Sequence, residues 1–448
     1  MIGINSPVIA NLRAHSSSIV LGCPGVPRSV PRVETVVELR SVGGKPFELR
    51  SVSVELRTIQ KVSVPSTIGS NDTTREFVVY KDPLAYRPPI GEFYQELLGL
   101  DIPVLIPLPK DIISSGRYPH WNAQTVHFLY VQVSCGKTIE TEINYGESFP
   151  IVIKLYDTLP LYRQFNEPVI ETKESFDRRL VIETTIPHSS VGPKDEFMII
   201  VKVMTNSLSN NTRRNIRLNK LTLQIKEILE CHEGGLAPRK EYKIFTTSKE
   251  YPENNIINTS GLIEKFQFPF PGTNDYLQSY SNKNSHNGLM NSSINDPEEL
   301  LTIQSNNISR DNLIEKLDEG IPLTHTQGFT TMGKLFSIRY EINLKFRFSR
   351  AKDMEIRLPL TISPYDRKSS EYLLNWIMNQ CEIARTRMGP NVVNQIAGSI
   401  SYEAMVPIVN RFKPPPIIYR YSRSDWVRLG YSEEAFGKKG KHAVQYID

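Results

Sequence analysis

A chain of 448 residues with 39% hydrophobic and 23% charged side chains has apolar material for two or three domain cores. Its four cysteines and its 25 glycines without a period exclude a disulfide scaffold and a collagen-like fibre. The 53 basic and 48 acidic residues leave a net charge of +5, too mild over this length to imply nucleic acid, whose binders concentrate charge on one face.

Residues 1–32 read as an N-terminal extension. Ile19-Val20-Leu21-Gly22-Cys23 has the outline of a lipoprotein cleavage site, but Ser16-Ser17-Ser18 stands where an apolar stretch belongs. A cytoplasmic chain is therefore expected, with Cys23, Cys135, Cys231 and Cys381 as free thiols. Apolar runs stay short, Phe197–Val201 among the longest, so no membrane-crossing helix is expected.

Strand signals dominate from residue 33. Val33–Leu39 and Phe47–Leu56 flank the turn residues Gly43-Gly44-Lys45-Pro46, and the second run alternates apolar with polar side chains as a half-buried strand must. Glu76–Tyr80, Val126–Ser134, Ile139–Tyr145 and Phe149–Tyr156 complete a first series. The proline-containing stretch 157–169 reads as a hinge. A second series follows at Arg178–Ile186, Phe197–Met204, Lys220–Leu229, Lys240–Thr246, Leu335–Phe348 and Met354–Ile362. Between about 251 and 330 the composition changes: in Pro271–Arg310, 15 of 40 residues are Asn or Ser. Such a segment is expected to be a disordered insertion, with too little apolar surface to offset chain entropy. A helix is expected over Glu371–Arg387, capped by Ser369 or Ser370 and ended by Gly389-Pro390. Its apolar stripe is Tyr372, Leu373, Trp376 and Ile377. The remaining tail reads as irregular. Short strands with Gly, Pro and Asn turns predict an all-β fold of two antiparallel sandwiches: 33–156, then 170–364 with the insertion, followed by a helix and tail at 365–448.

Catalytic signatures are scarce. No P-loop, dinucleotide fingerprint, nucleophile elbow or zinc-protease helix occurs. Cys231 and His232 are adjacent, which on a strand aims them apart and makes a poor metal site. No catalytic residue, metal or cofactor is expected. Two basic clusters remain: Arg213, Arg214, Arg217 and Lys220 near a strand start, and Arg420, Arg423, Arg428, Lys438, Lys439 and Lys441 in the tail. The first is a candidate patch for anionic lipid or acidic peptide.

The run Val191–Ser207 followed by Ile216–Glu227 resembles the arrestin C-terminal domain. Gly44–Leu56 and Ile139–Tyr156 resemble strands of the N-domain, and Leu335–Phe348 with Met354–Ser363 resembles the closing C-domain hairpin. With its polar insertion the chain is similar to fungal α-arrestins. That resemblance implies a non-catalytic adaptor that recognises plasma-membrane transporters and links them to a Nedd4-type HECT ubiquitin ligase, directly or through another arrestin. It would be recruited to the plasma membrane or endosomes. The alternative it implies is a coat or sorting subunit of the retromer kind. The family docks ligase WW domains through Pro-Pro-x-Tyr, which this sequence lacks. The nearest spacings are Leu159-Pro160-Leu161-Tyr162 and Pro415-Pro416-Ile417-Ile418-Tyr419, with one residue too many in the second.

Overall fold

A computed structural model describes residues 6–13, 26–66, 69–206, 215–232, 239–252, 256–270, 328–398 and 400–438. The fold is all-β, as the alternation predicts, with helices confined largely to the C-terminal part. The first half contains β1 (Val8–Leu12), β2 (Arg32–Ser41), β3 (Phe47–Ser66), β4 (Gly69–Tyr86), β5 (Gln95–Leu97), β6 (Gly99–Pro107), β7 (Gly116–Tyr118), β8 (Ala123–Cys135) and β9 (Ile143–Ile151). One sheet runs β1-β2-β6, and the facing sheet runs β4-β3-β8-β7 with β5 on β3 and β9 on β8. Val33, Val37 and Leu39 of β2 share a buried core with Leu49, Val52, Val54 and Leu56 of β3.

The second half contains α1 (Arg163–Asn166), β10 (Val169–Glu174), β11 (Leu180–Ile186), β12 (Ser190–Val191), β13 (Glu196–Thr205), β14 (Arg217–Cys231), β15 (Arg239–Glu250), β16 (Leu262–Pro269), β17 (Thr331–Met332), β18 (Phe336–Ser349) and β19 (Met354–Ile362). Its sheets run β10-β11-β13-β16 and β12-β19-β18-β14-β15, with β17 on β18. Phe197, Ile199 and Val201 from one sheet and Leu221, Leu223, Ile342 and Leu344 from the other fill the space between. The C-terminal part contains α2 (Arg367–Met388), α3 (Pro390–Ala397), α4 (Tyr402–Asn410), β20 (Ile417–Tyr419) and α5 (Arg423–Arg428).

Several sequence expectations need correction. Part of the extension is structural: β1 pairs with β2, Ala10 opposite Leu39. Ile139–Tyr145 and Phe149–Tyr156 are not two strands: parts of both fall on the single strand β9, Ile143–Ile151, and residues 139–142 and 152–156 lie outside it. β6 escaped notice because Pro103 and Pro107 interrupt it. Pro103 nevertheless pairs with Val36 on β2, on a stretch that β20 does not reach. There its missing N–H costs no ladder bond on the open side. The span 251–330 is not all insertion, because β16 pairs with β13 along its length and buries Phe266, with Phe270 buried just beyond it. Residues 271–327 lie outside the described residues.

The helix is capped by Asp366, whose Oδ1 accepts the Ser369 N–H at 2.6 Å, and not by either serine. Its buried stripe is Leu373, Ile377, Gln380, Ala384 and Met388; Tyr372 is exposed and Trp376 half-buried. Nor is the tail irregular. β20 adds to β6 as the fourth strand of the β1-β2-β6 sheet, and Trp426 of α5 is buried among Leu98, Tyr419 and Tyr431.

Candidate functional site

The two candidate WW-docking segments lie in different places, and neither presents its tyrosine as an extended ligand. Leu159 is fully buried with Tyr156, Tyr365, Leu373 and Ile377 under α2, and Pro160 is buried beside it. The Tyr162 N–H donates to the Leu159 carbonyl at 3.1 Å, and the Phe165 N–H donates to Tyr162 at 2.9 Å. This is a tight turn leading into α1. A WW groove needs an open polyproline segment with proline and tyrosine both accessible.

In the tail, Pro415 and Pro416 are exposed and Tyr419 is not. Its hydroxyl donates to Asp101 Oδ2 at 3.1 Å, and its carbonyl accepts the Leu98 N–H at 2.9 Å. Two guanidinium groups flank the ring, Arg40 at 5.4 Å and Arg428 at 5.3 Å. Asp101 is almost fully buried, and it also takes Arg40 Nη1 at 2.6 Å and Arg13 Nη2 at 3.1 Å. Burial, with help from the Asp101 charge, holds the phenol above its ordinary pKa, so Tyr419 remains the donor. The cluster ties β2, β6, the residue after β1 and the tail together. A charge-assisted knot of this kind is costly to break from one side, since Asp101 would stay buried without its partners. Use of Tyr419 by another protein therefore requires β20 to leave its sheet.

The candidate lipid patch is divided. Arg213 and Arg214 lie outside the described residues. Lys220 is three residues along β14 and paired with Glu250 at 2.9 Å, while Arg217 begins the strand, opposite Ser349. Of the described pair, only Arg217 reaches the end of the sandwich. In the tail, Lys439 and Lys441 are also outside the described residues, Arg423 pairs with Glu433 at 2.8 Å, and Arg428 with Asp425 at 3.6 Å.

Reactive groups are placed as structural ones. Cys135 is buried, and burial with the neighbouring Glu48 pushes its thiol up to about 12, far from a nucleophilic thiolate. Cys231 packs against the core while His232 is exposed, as adjacent strand residues should. Among the described residues no group of three or more His, Cys, Asp or Glu could hold a metal ion. No helix among them is long and apolar enough to cross a membrane.

A polar seam between the sandwiches was not legible beforehand. His120 follows β7, and its Nδ1 lies 3.0 Å from Glu227 Oε1 of β14, both side chains being buried. The imidazole stacks on Tyr242 at 3.9 Å, and the Tyr340 hydroxyl donates to Glu227 Oε2 at 2.7 Å. Nearby, Gln60 of β3 accepts the Leu335 N–H at 3.0 Å, and Tyr118 meets Phe329 and Phe336 edge on or tilted. Tyr118, Trp121, Ala123 and Val62 belong to the second sandwich's core. The seam joins residues of both sandwiches in one buried cluster. No signal in the sequence pairs His120 with Glu227, since their separation is set by the docking of the two sandwiches.

No family model matches the chain. It is similar along nearly its whole length to RHO1 GEF localizing protein 1 of Saccharomyces cerevisiae, with 23% identity over 483 residues that cover 93% of this chain and 95% of that protein.

Proposed function

We propose that this protein is a non-catalytic scaffold that positions a Rho-family guanine-nucleotide exchange factor at a membrane site, the plasma membrane or an endosome. The observation that carries the reading is the end-to-end similarity to a yeast protein named for localizing a Rho1 exchange factor. Because both chains are covered almost completely, the likeness embraces both sandwiches and the C-terminal part, not a single shared module. Two sandwiches with a common core and a tail stitched onto the first make a rigid platform, and a localizing role asks for such a platform more than for a reaction centre.

The resemblance of Val191–Ser207, Ile216–Glu227 and the strand pattern before them to arrestin sequences favours a second reading, the adaptor that links plasma-membrane transporters to a HECT-type ubiquitin ligase. On that reading the ligase is met by a surface other than Leu159–Tyr162, or by Pro415–Tyr419 only after β20 is released.

The test is affinity purification of the full chain from its own cells, together with imaging of tagged exchange factors with and without it. Enrichment of a Rho-family exchange factor, and its dispersal when the scaffold is deleted, is the expected result. Capture of a HECT ligase and transporters with no exchange factor would replace the first reading with the second.

A further inference from the structure

The first strand of the second sandwich has an open side. β10 pairs with β11 along its whole length and without a bulge, from Val169 opposite Ile186 to Glu174 opposite Val181. It ends its sheet, and no strand among the described residues pairs with its outer edge. A row of backbone N–H and C=O groups is therefore left there without a ladder partner. All six residues are exposed, Ile170 by 63%, and the strand carries neither the proline nor the glycine that would spoil further pairing. The other end of the same sheet is tied down. From β15, Lys249 reaches Glu264 of β16 at 2.8 Å and the Lys265 carbonyl at 2.9 Å, and Phe245 stacks on Phe268 at 4.1 Å.

The charges on β10 select what can add to it. Val169, Glu171 and Lys173 lie opposite the buried Ile186, Thr184 and Ile182, so these three share the inner face. Glu171, Lys173 and Glu174 have no ion-pair partner among the described residues; Lys173 Nζ donates to the Glu355 backbone carbonyl at 3.0 Å. Inward charges blunt an edge against a strand with an ordinary apolar face, which would cover them without pairing them. A second β10 is the exception. A twofold axis perpendicular to the sheet keeps both inner faces on one side and passes through a residue. With Thr172 on that axis, each Glu171 lies directly across from Lys173 of the other copy, which gives two opposite-charge pairs. Moving the axis to Glu171 opposes two glutamates, and moving it to Lys173 opposes two lysines, both unfavourable.

We infer that the chain forms a twofold dimer in which two β10 strands pair antiparallel about Thr172, joining the β10-β11-β13-β16 sheets of two copies into one continuous sheet with two Glu171–Lys173 pairs across the join. The inference goes beyond the localizing role and stands on β10 alone.

The test is sedimentation velocity of the purified full chain over a concentration series at low salt. Wild type is expected to pass from monomer to dimer as concentration rises. Glu171→Lys and Lys173→Glu each turn both cross-strand pairs into like-charge pairs, and each should raise the dimer dissociation constant by about tenfold or more. Both positions are exposed, so the thermal midpoints hold. Mixing the two single variants restores opposite charges across the axis and should give a mixed dimer, and the exchanged double variant Glu171→Lys/Lys173→Glu should again pair with itself. The loss and the recovery both shrink as salt shortens the screening length. A wild type that stays monomeric throughout the series would overturn the proposal. So would a dimer that neither single variant weakens, which would place the contact elsewhere, or two weakened variants that do not recover when mixed. The readout contains no exchange factor, so its failure leaves the localizing role standing.

Discussion

Gly192 stands where the backbone passes directly under the Tyr365 carbonyl, close enough that an added Cβ would overlap it. The approach is held by Asp195, whose carboxylate takes the N–H groups of Gly192 at 2.8 Å and Arg367 at 2.9 Å, tying the second sandwich to the start of α2. Gly192→Ala is expected to cost about 2–3 kcal/mol by overpacking, read as a lower urea midpoint with unchanged slope. His127 is the other informative residue. It is fully enclosed on β8, bonded to the Thr58 hydroxyl at 2.9 Å and the Ile113 carbonyl at 3.0 Å, and burial pushes its pKa down to about 4. An unfolded histidine binds its proton near pH 6.5, so the unfolded chain takes up a proton first as pH falls. Stability from this residue is intact above about pH 6.5 and is lost progressively toward pH 4, by about 3 kcal/mol in all. Urea melts at pH 7 and pH 5 should show a smaller drop for His127→Gln than for wild type; equal drops would mean that another group carries the dependence.

At the scale of elements, α2 is held by its inner stripe. Leu373 is fully buried against Tyr156 and Leu159, whereas Met378 is 66% exposed. Leu373→Ala should lose about 3 kcal/mol, and Met378→Ser should stay within about 0.5 kcal/mol. Trp376 tilts over Tyr156 at 5.6 Å while remaining half-buried, so its truncation belongs between the two. The segment after β15 divides in the same way. Replacing residues 271–327 by a short Gly/Ser linker is expected to leave the thermal midpoint nearly unchanged, since closure entropy grows slowly with loop length. Extending the replacement back through β16 removes the strand paired to β13 and empties the places of Phe266 and Phe270. The second sandwich should then fail to fold, and a soluble, cooperatively melting product would contradict the role given to β16.

For the molecule as a whole the decisive feature is the seam. Because Tyr118, Trp121 and Val62 of the first sandwich are buried in the core of the second, the two are expected to unfold together. Tyr118→Ala removes a fully buried ring set against Phe329 and Phe336, at a cost of about 3–5 kcal/mol. Calorimetry should show one transition for the wild type and a split or broadened one for the variant. A single sharp transition in both would mean that the sandwiches are coupled elsewhere, through α2 and the tail. The tail contributes such a tie, with β20 closing one edge of the first sandwich and its Tyr419 locked onto Asp101.

The all-β character, the strands β2, β3, β8, β13, β14, β18 and β19, and the helix ended by Gly389-Pro390 were legible from residues alone. Alternation and turn chemistry act over a few positions and need no partner to be read. What escaped has a common cause. β1, β16 and β20 are strands only because an open edge at β2, β13 or β6 accepts them. The cap passed from Ser369 to Asp366, and the buried stripe turned away from Tyr372, because docking against Tyr156 and Leu159 chooses the inward face. Burial likewise decides that Leu159 and Tyr419 are packing residues. The tertiary structure alone could place His120 against Glu227 and Tyr419 against Asp101, since each meeting joins segments whose distance apart is set by sheet pairing and domain packing, neither of which a local pattern encodes.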